Sequence, residues 1–173
     1  SVFYLETKRK IYIGGRIMKK TILICAPFSS RSGYGDHGRD IFEALYNSDK
    51  YNLRTIDVPW GDCPRNALDI KNKTHKAIID GFLSNGPQLT DRPDIYIDVR
   101  IPNEFQNIGK YNIGFTAGIE TNAVSQKWLE GCNKMDLIIV PSQHSKDGFI
   151  KTVYDKINNL PDGQQQKIGE LKL

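Results

Sequence analysis

Thr21-Ile-Leu-Ile-Cys-Ala26, then Pro27-Phe-Ser-Ser-Arg-Ser-Gly-Tyr-Gly-Asp-His-Gly-Arg39, then Asp40-Ile-Phe-Glu-Ala-Leu-Tyr46 is the stretch that decides the architecture. The first six residues carry no charge and read as a strand covered on both faces, the mark of a parallel sheet. The last segment repeats its apolar residues at helical spacing. Between them, a glycine-rich stretch joins a buried strand to a helix N-terminus. α/β proteins collect anionic and polar ligands at such joints, because glycine allows close backbone approach and the helix end presents free N–H groups and a positive dipole. Asp36 is placed to cap that helix, which runs on to about Asn47-Ser48.

Outward from this unit the alternation continues. Tyr51–Val58 reads as a second strand, stopped by Pro59. Residues 69–83 bring Ile70, Ala77, Ile78 and Phe82 near one helical face, and Asn85-Gly-Pro87 closes it. Asp94-Ile-Tyr-Ile-Asp-Val99 alternates strictly and predicts a third strand with one more polar face. Tyr111–Thr116 and Asp136–Val140 are the fourth and fifth strands. A helix over 125–135 behind Ser125 separates them, and a short helix capped by Ser142 or Ser145 follows. Strands alternating with helices predict an α/β fold with a doubly wound, mostly parallel sheet in a Rossmann-like three-layer sandwich. Residues 18–156 form that domain. Residues 1–17 show no clear period and are an extension outside the fold, or add an edge strand at 10–13. Residues 157–173 are a polar tail and the start of an onward connection.

Composition narrows the function classes. With 39% hydrophobic and 25% charged residues the chain is an ordinary globular protein, and no apolar run approaches the ~20 residues of a membrane span. No transmembrane segment is expected, and peripheral membrane contact stays open. The net charge of +4 does not argue for nucleic acid. Residues 1–20 hold six basic side chains against Glu6 alone, so the remainder is near neutral. Cys25, Cys63 and Cys132 are odd in number and widely spaced, which fits a reducing, cytoplasmic setting and no zinc site. No spacing of His, Asp or Glu marks a metal.

Gly33-Tyr-Gly-Asp-His-Gly38 matches the dinucleotide fingerprint G-x-G-x-x-G, and Asp57 ends the next strand at the usual distance. In a dinucleotide turn the first glycine follows the strand directly, so that the backbone wraps the pyrophosphate. Here Pro27-Phe-Ser-Ser-Arg-Ser32 intervenes, and the loop is too long and open for that grip. A self-contained Rossmann-like nucleotide-binding or regulatory domain therefore stands as the second reading.

Three segments taken together resemble the N-terminal domain of GT-B glycosyltransferases of the retaining family 4 (group 1) type. They are Lys19–Arg39, Gly114-Phe-Thr-Ala-Gly-Ile-Glu-Thr-Asn-Ala-Val-Ser-Gln-Lys-Trp128 and Asp136-Leu-Ile-Ile-Val-Pro-Ser-Gln-His-Ser-Lys-Asp-Gly-Phe149. The resemblance implies transfer of a sugar from a nucleotide-sugar donor to a sugar or glycan acceptor, with this domain on the acceptor side. It also implies a donor-binding second domain missing from this chain, so no cofactor is held tightly and the chain alone is inactive. Candidate acceptor- or phosphate-binding residues are Gly33 and Gly35, which permit a tight turn, with Tyr34, Asp36, His37 and Arg39 at the start of the helix. Trp60, in a turn-rich loop, is a stacking platform for a sugar face. Ser142 lies near the expected cleft. Glu120, with Thr121 and Asn122, follows a strand in Gly-Ile-Glu-Thr-Asn and is the catalytic candidate, as an acceptor-hydroxyl contact or acid–base participant. Trp128 is expected to pack in the core.

Overall fold

The computed structural model describes residues 12–13, 16–17, 19–118, 121–161 and 164–173. Two short strands, β1 (Tyr12–Ile13) and β2 (Arg16–Ile17), pair antiparallel as a ribbon of their own ahead of the main sheet. The body then alternates: β3 (Lys20–Ala26), α1 (Gly33–Asn47), β4 (Tyr51–Asp57), α2 (Lys73–Asp80), β5 (Ile95–Val99), β6 (Tyr111–Phe115), α3 (Gln126–Cys132), β7 (Leu137–Ile139) and α4 (Gln143–Lys151). A hairpin of β8 (Tyr154–Asn159) and β9 (Gln165–Leu171) closes the described chain. The five central strands are all parallel, in the spatial order β4-β3-β5-β6-β7. This is the α/β, Rossmann-like arrangement expected of the alternating pattern. The order reverses between β3 and β5, which makes their carboxyl ends a topological switch point.

The uncharged run of β3 is buried on both sides. Ile22, Ile24 and Ala26 join Phe42, Ile78, Ile97 and Val99 on the face covered by α1 and α2. Leu23 and Cys25 join Tyr96 on the other face, with Leu83, Leu89, Ile108 and Met135 against them. The chain passes from one face to the other round the β4 edge, where Phe82 bridges to Thr55 and the Thr55 hydroxyl donates to Ile78 O. Farther along the second face, Phe105, Val124, Leu129, Cys132 and Phe149 form a cluster that α3, α4 and the hairpin enclose. Trp128 packs into it, stacked on Phe149 at 6.0 Å between centroids, as a core role requires. Gly131 lets α3 lie on the backbone of Pro102; a Cβ there would come within 1.7 Å of Pro102 O.

Four local expectations need correction. The N-cap of α1 is Ser32, extended and accepting the Gly35 N–H, so the helix opens at Gly33 rather than after Asp36. Gly33 and Gly35 thus lie in the first helical turn and do not form a tight turn. The second helix is only eight residues long, because the Asn72 side chain accepts the Thr74 and His75 N–H groups and starts it late. Ile70 is left outside it and 72% exposed. The more polar face of β5 is turned inward: Asp98 is completely buried, held by Arg100. Finally, the turn-rich tail is a paired hairpin, and the boundary placed at residue 156 falls inside β8.

Candidate functional site

At the carboxyl ends of the strands a cavity of about 490 Å³ lies beside the start of α1. Its walls are Gly33, Tyr34 and His37 of α1, Phe115, Thr116 and Ala117 at the end of β6, and Ile139, Val140 and Pro141 at the end of β7. α1 reaches this place because Ser32 caps it and because Gly38 sits on β3, where a Cβ would come within 2.5 Å of the Ala26 Cβ. The third glycine of the fingerprint pattern therefore serves helix–strand packing.

Tyr34 holds the two sides together. Its hydroxyl lies 3.0 Å from Thr116 Oγ1 and accepts the Ala117 N–H at 3.1 Å. Its ring stacks on Trp60 at 4.4 Å between centroids, tilted by 33°. His37 meets Phe115 edge-on at 5.6 Å. Gly33 and Tyr34 are the first residues of α1, so their N–H groups have no intrahelical partner, and both residues line the cavity. α4 begins on the opposite rim, where the Ser142 side chain caps it by accepting the Ser145 N–H at 3.1 Å.

Of the residues singled out from sequence, Gly33, Tyr34 and His37 line the cavity, Trp60 stacks on one lining ring, and Ser142 follows its Pro141 wall. The others are placed elsewhere. Gly35 is packed under the preceding loop, 2.5 Å from Ser30 O at its would-be Cβ. Arg39 donates to Phe28 O and Ser30 O and pairs with Asp36, so both charges brace the 27–32 loop. Thr121 and Asn122 are exposed, and the Thr121 hydroxyl donates to Ala123 O at 2.9 Å. Glu120 lies outside the described residues.

The 27–32 loop has few groups left for a ligand. Ser29 N–H and Oγ both donate to Asp57, and Arg65 Nη2 donates to the same carboxylate at 2.8 Å. Ser30 N–H bonds Pro27 O, and Arg31 N–H bonds Pro64 O. The acid in the ribose position of a dinucleotide fingerprint thus ties the loop to the 58–67 segment. Among the described residues no group of three His, Cys, Asp or Glu comes together as a metal site.

A second polar constellation escaped the sequence reading. Asp98 accepts Arg100 Nε at 2.7 Å, Arg100 Nη2 at 2.8 Å, the Tyr96 hydroxyl at 2.9 Å and the Gln106 N–H at 3.2 Å. Arg100 also donates to Glu104 O, so the pair anchors the 100–106 loop below β5. Burial pushes the neighbouring Cys25 thiol up to about 11 and drives the Tyr96 hydroxyl upward as well. A buried Asp two residues before an Arg at a strand end was the available signal, and only side-chain direction turns it into a pair. This network faces away from the cavity and is structural.

No protein-family model, curated protein or solved structure matches the chain. Among the described residues, no helix is long and apolar enough to cross a membrane.

Proposed function

We propose that this chain is the acceptor-side domain of a retaining glycosyltransferase, working with a nucleotide-sugar donor held by a second domain outside these residues. One observation carries the reading. The three segments that resemble the transferase domain are separate in sequence, and every residue lining the cavity belongs to one of them: 33, 34 and 37; 115 to 117; 139 to 141. The cavity also stands where parallel α/β sheets hold ligands, outside the carboxyl ends of the strands. Gly33 and Tyr34 N–H groups and the His37 ring at its mouth can hold an acceptor hydroxyl while the sugar is transferred to it. Glu120 is kept as the proposed acid–base or hydroxyl contact, on the resemblance alone.

The test is an amide-shift titration of the 173-residue chain. Glycosides should move the Gly33, Tyr34 and Ala117 signals, whereas nucleotide sugars bind weakly. Micromolar binding of NAD or ATP at these amides, with no response to any glycoside, would replace this reading by a self-contained nucleotide-binding domain.

A further inference from the structure

The geometry points to a hydrocarbon chain, carried by the acceptor, as the occupant of the cavity, with the sugar kept at its mouth. This rests on the acceptor-side reading above. Six of the nine lining residues present apolar surface: Phe115, Ala117, Ile139, Val140, Pro141 and the ring of Tyr34. The two lining hydroxyls, on Tyr34 and Thr116, are already bonded to each other, and Tyr34 also takes the Ala117 N–H. A sugar ring pushed inside would bury several hydroxyls without partners, each at a penalty that apolar contact does not offset. A hydrocarbon meets no such penalty.

The shape argues for a chain and against a compact apolar group. Phe115 pairs in register with Ile139 in the cavity wall, and Ile113 pairs with Leu137 two residues back along the same sheet face. Two residues in a strand are about 6.6 Å. Ile139 is 37% exposed, Leu137 42% and Tyr111 44%, so the apolar strip continues from the cavity down β6 and β7, with no helix of the described residues over it. α1 and α2 cover β3, β4 and β5 on this face, and α3 and α4 pack with the opposite one. The result is a cavity that continues along the sheet into a shallow apolar track. The linear tail of an amphiphile with a sugar head matches that shape.

The experiment is calorimetry on the 173-residue chain with methyl, hexyl and octyl β-glucoside below their micelle concentrations. Octyl dimethylamine oxide serves as a sugar-free tail. Affinity should rise roughly fourfold per added methylene up to the octyl chain. Ile139→Asp should weaken octyl glucoside at least tenfold. Ile157→Asp, at an exposed apolar site on the hairpin, should leave it unchanged. Methyl and octyl glucoside binding equally would overturn the hydrocarbon assignment and leave the acceptor reading in place. Octyl dimethylamine oxide binding as well as octyl glucoside would support the assignment and count against a sugar-bearing acceptor. The assignment also falls if no alkyl compound binds, if Ile157→Asp weakens binding as much as Ile139→Asp, or if sedimentation shows a dimer that Ile139→Asp dissolves.

Discussion

The Tyr34 hydroxyl lies 3.0 Å from Thr116 Oγ1, joining residues 82 positions apart and tying the first helix to the end of the fourth strand of the sheet. The same hydroxyl accepts the Ala117 N–H, so one phenol positions both walls of the cavity. Tyr34→Phe keeps the ring on Trp60 and deletes only these bonds. The expected loss is about 0.5–1.5 kcal/mol. In a chain of this size that lowers the melting temperature by roughly 2–4 °C per kcal/mol. Faster hydrogen exchange at Ala117 should accompany it; unchanged exchange there would show that the tether is not formed in solution.

The glycines should separate sharply. Gly131→Ala places a Cβ against the Pro102 carbonyl backbone, which cannot rotate away, and should destabilise by about 1–3 kcal/mol or more. Gly33→Ala meets no atom within 4 Å and should change stability by less than ~0.5 kcal/mol. Urea melts of the two variants make the comparison. Equal effects would contradict the close approach of α3 to Pro102.

Asp98 is fully buried with Arg100 as its charged partner. Arg100→Met therefore strands a carboxylate in the interior and should reduce stability by about 3–5 kcal/mol. A loss under ~1 kcal/mol in denaturant unfolding would mean that water reaches Asp98.

The thiols give a pH dependence with a definite sign. Burial pushes Cys132 from 9.0 to about 12, so the unfolded chain ionises there first and binds fewer protons than the folded one. The stability that the protonated thiol contributes is fully present below pH 9.0 and is lost progressively as pH rises toward 12. Cys25 acts in the same direction, toward about 11. Urea midpoints measured from pH 8.5 upward should fall, and fall less steeply in Cys132→Ala. An identical slope in the variant would remove Cys132 from the linkage. In native protein at neutral pH a thiol reagent should react first with the half-buried Cys63 and reach Cys25 and Cys132 only on unfolding.

Period, capping chemistry and turn residues act over a few neighbouring positions, and what depends on them was legible. The uncharged run at 21–26, the helix after it, the five strands, the Ser142 cap and the packing of the half-buried Trp128 all follow from local pattern. Asp36 as a cap failed because Ser32, four residues earlier, caps the helix from an extended backbone and leaves Asp36 inside the first turn. The helix over 69–83 failed because Asn72 starts it late. Strand order depends on which distant segments become neighbours, and the hairpin pairing of 154–159 with 165–171 and the Asp98–Arg100 pair depend on backbone register and side-chain direction; local period is silent on all three. The cavity is the clearest instance. Gly33, Tyr34 and His37 stood out in sequence as a candidate stretch, but Phe115, Ile139 and Val140 join them in one cavity wall only when β6 and β7 stack in register beside α1. Packing also turned Arg39 and Asp57 toward the loop they support, with Asp36 paired to Arg39. Local sequence fixes which elements form; long-range register and side-chain direction decide which residues face a ligand.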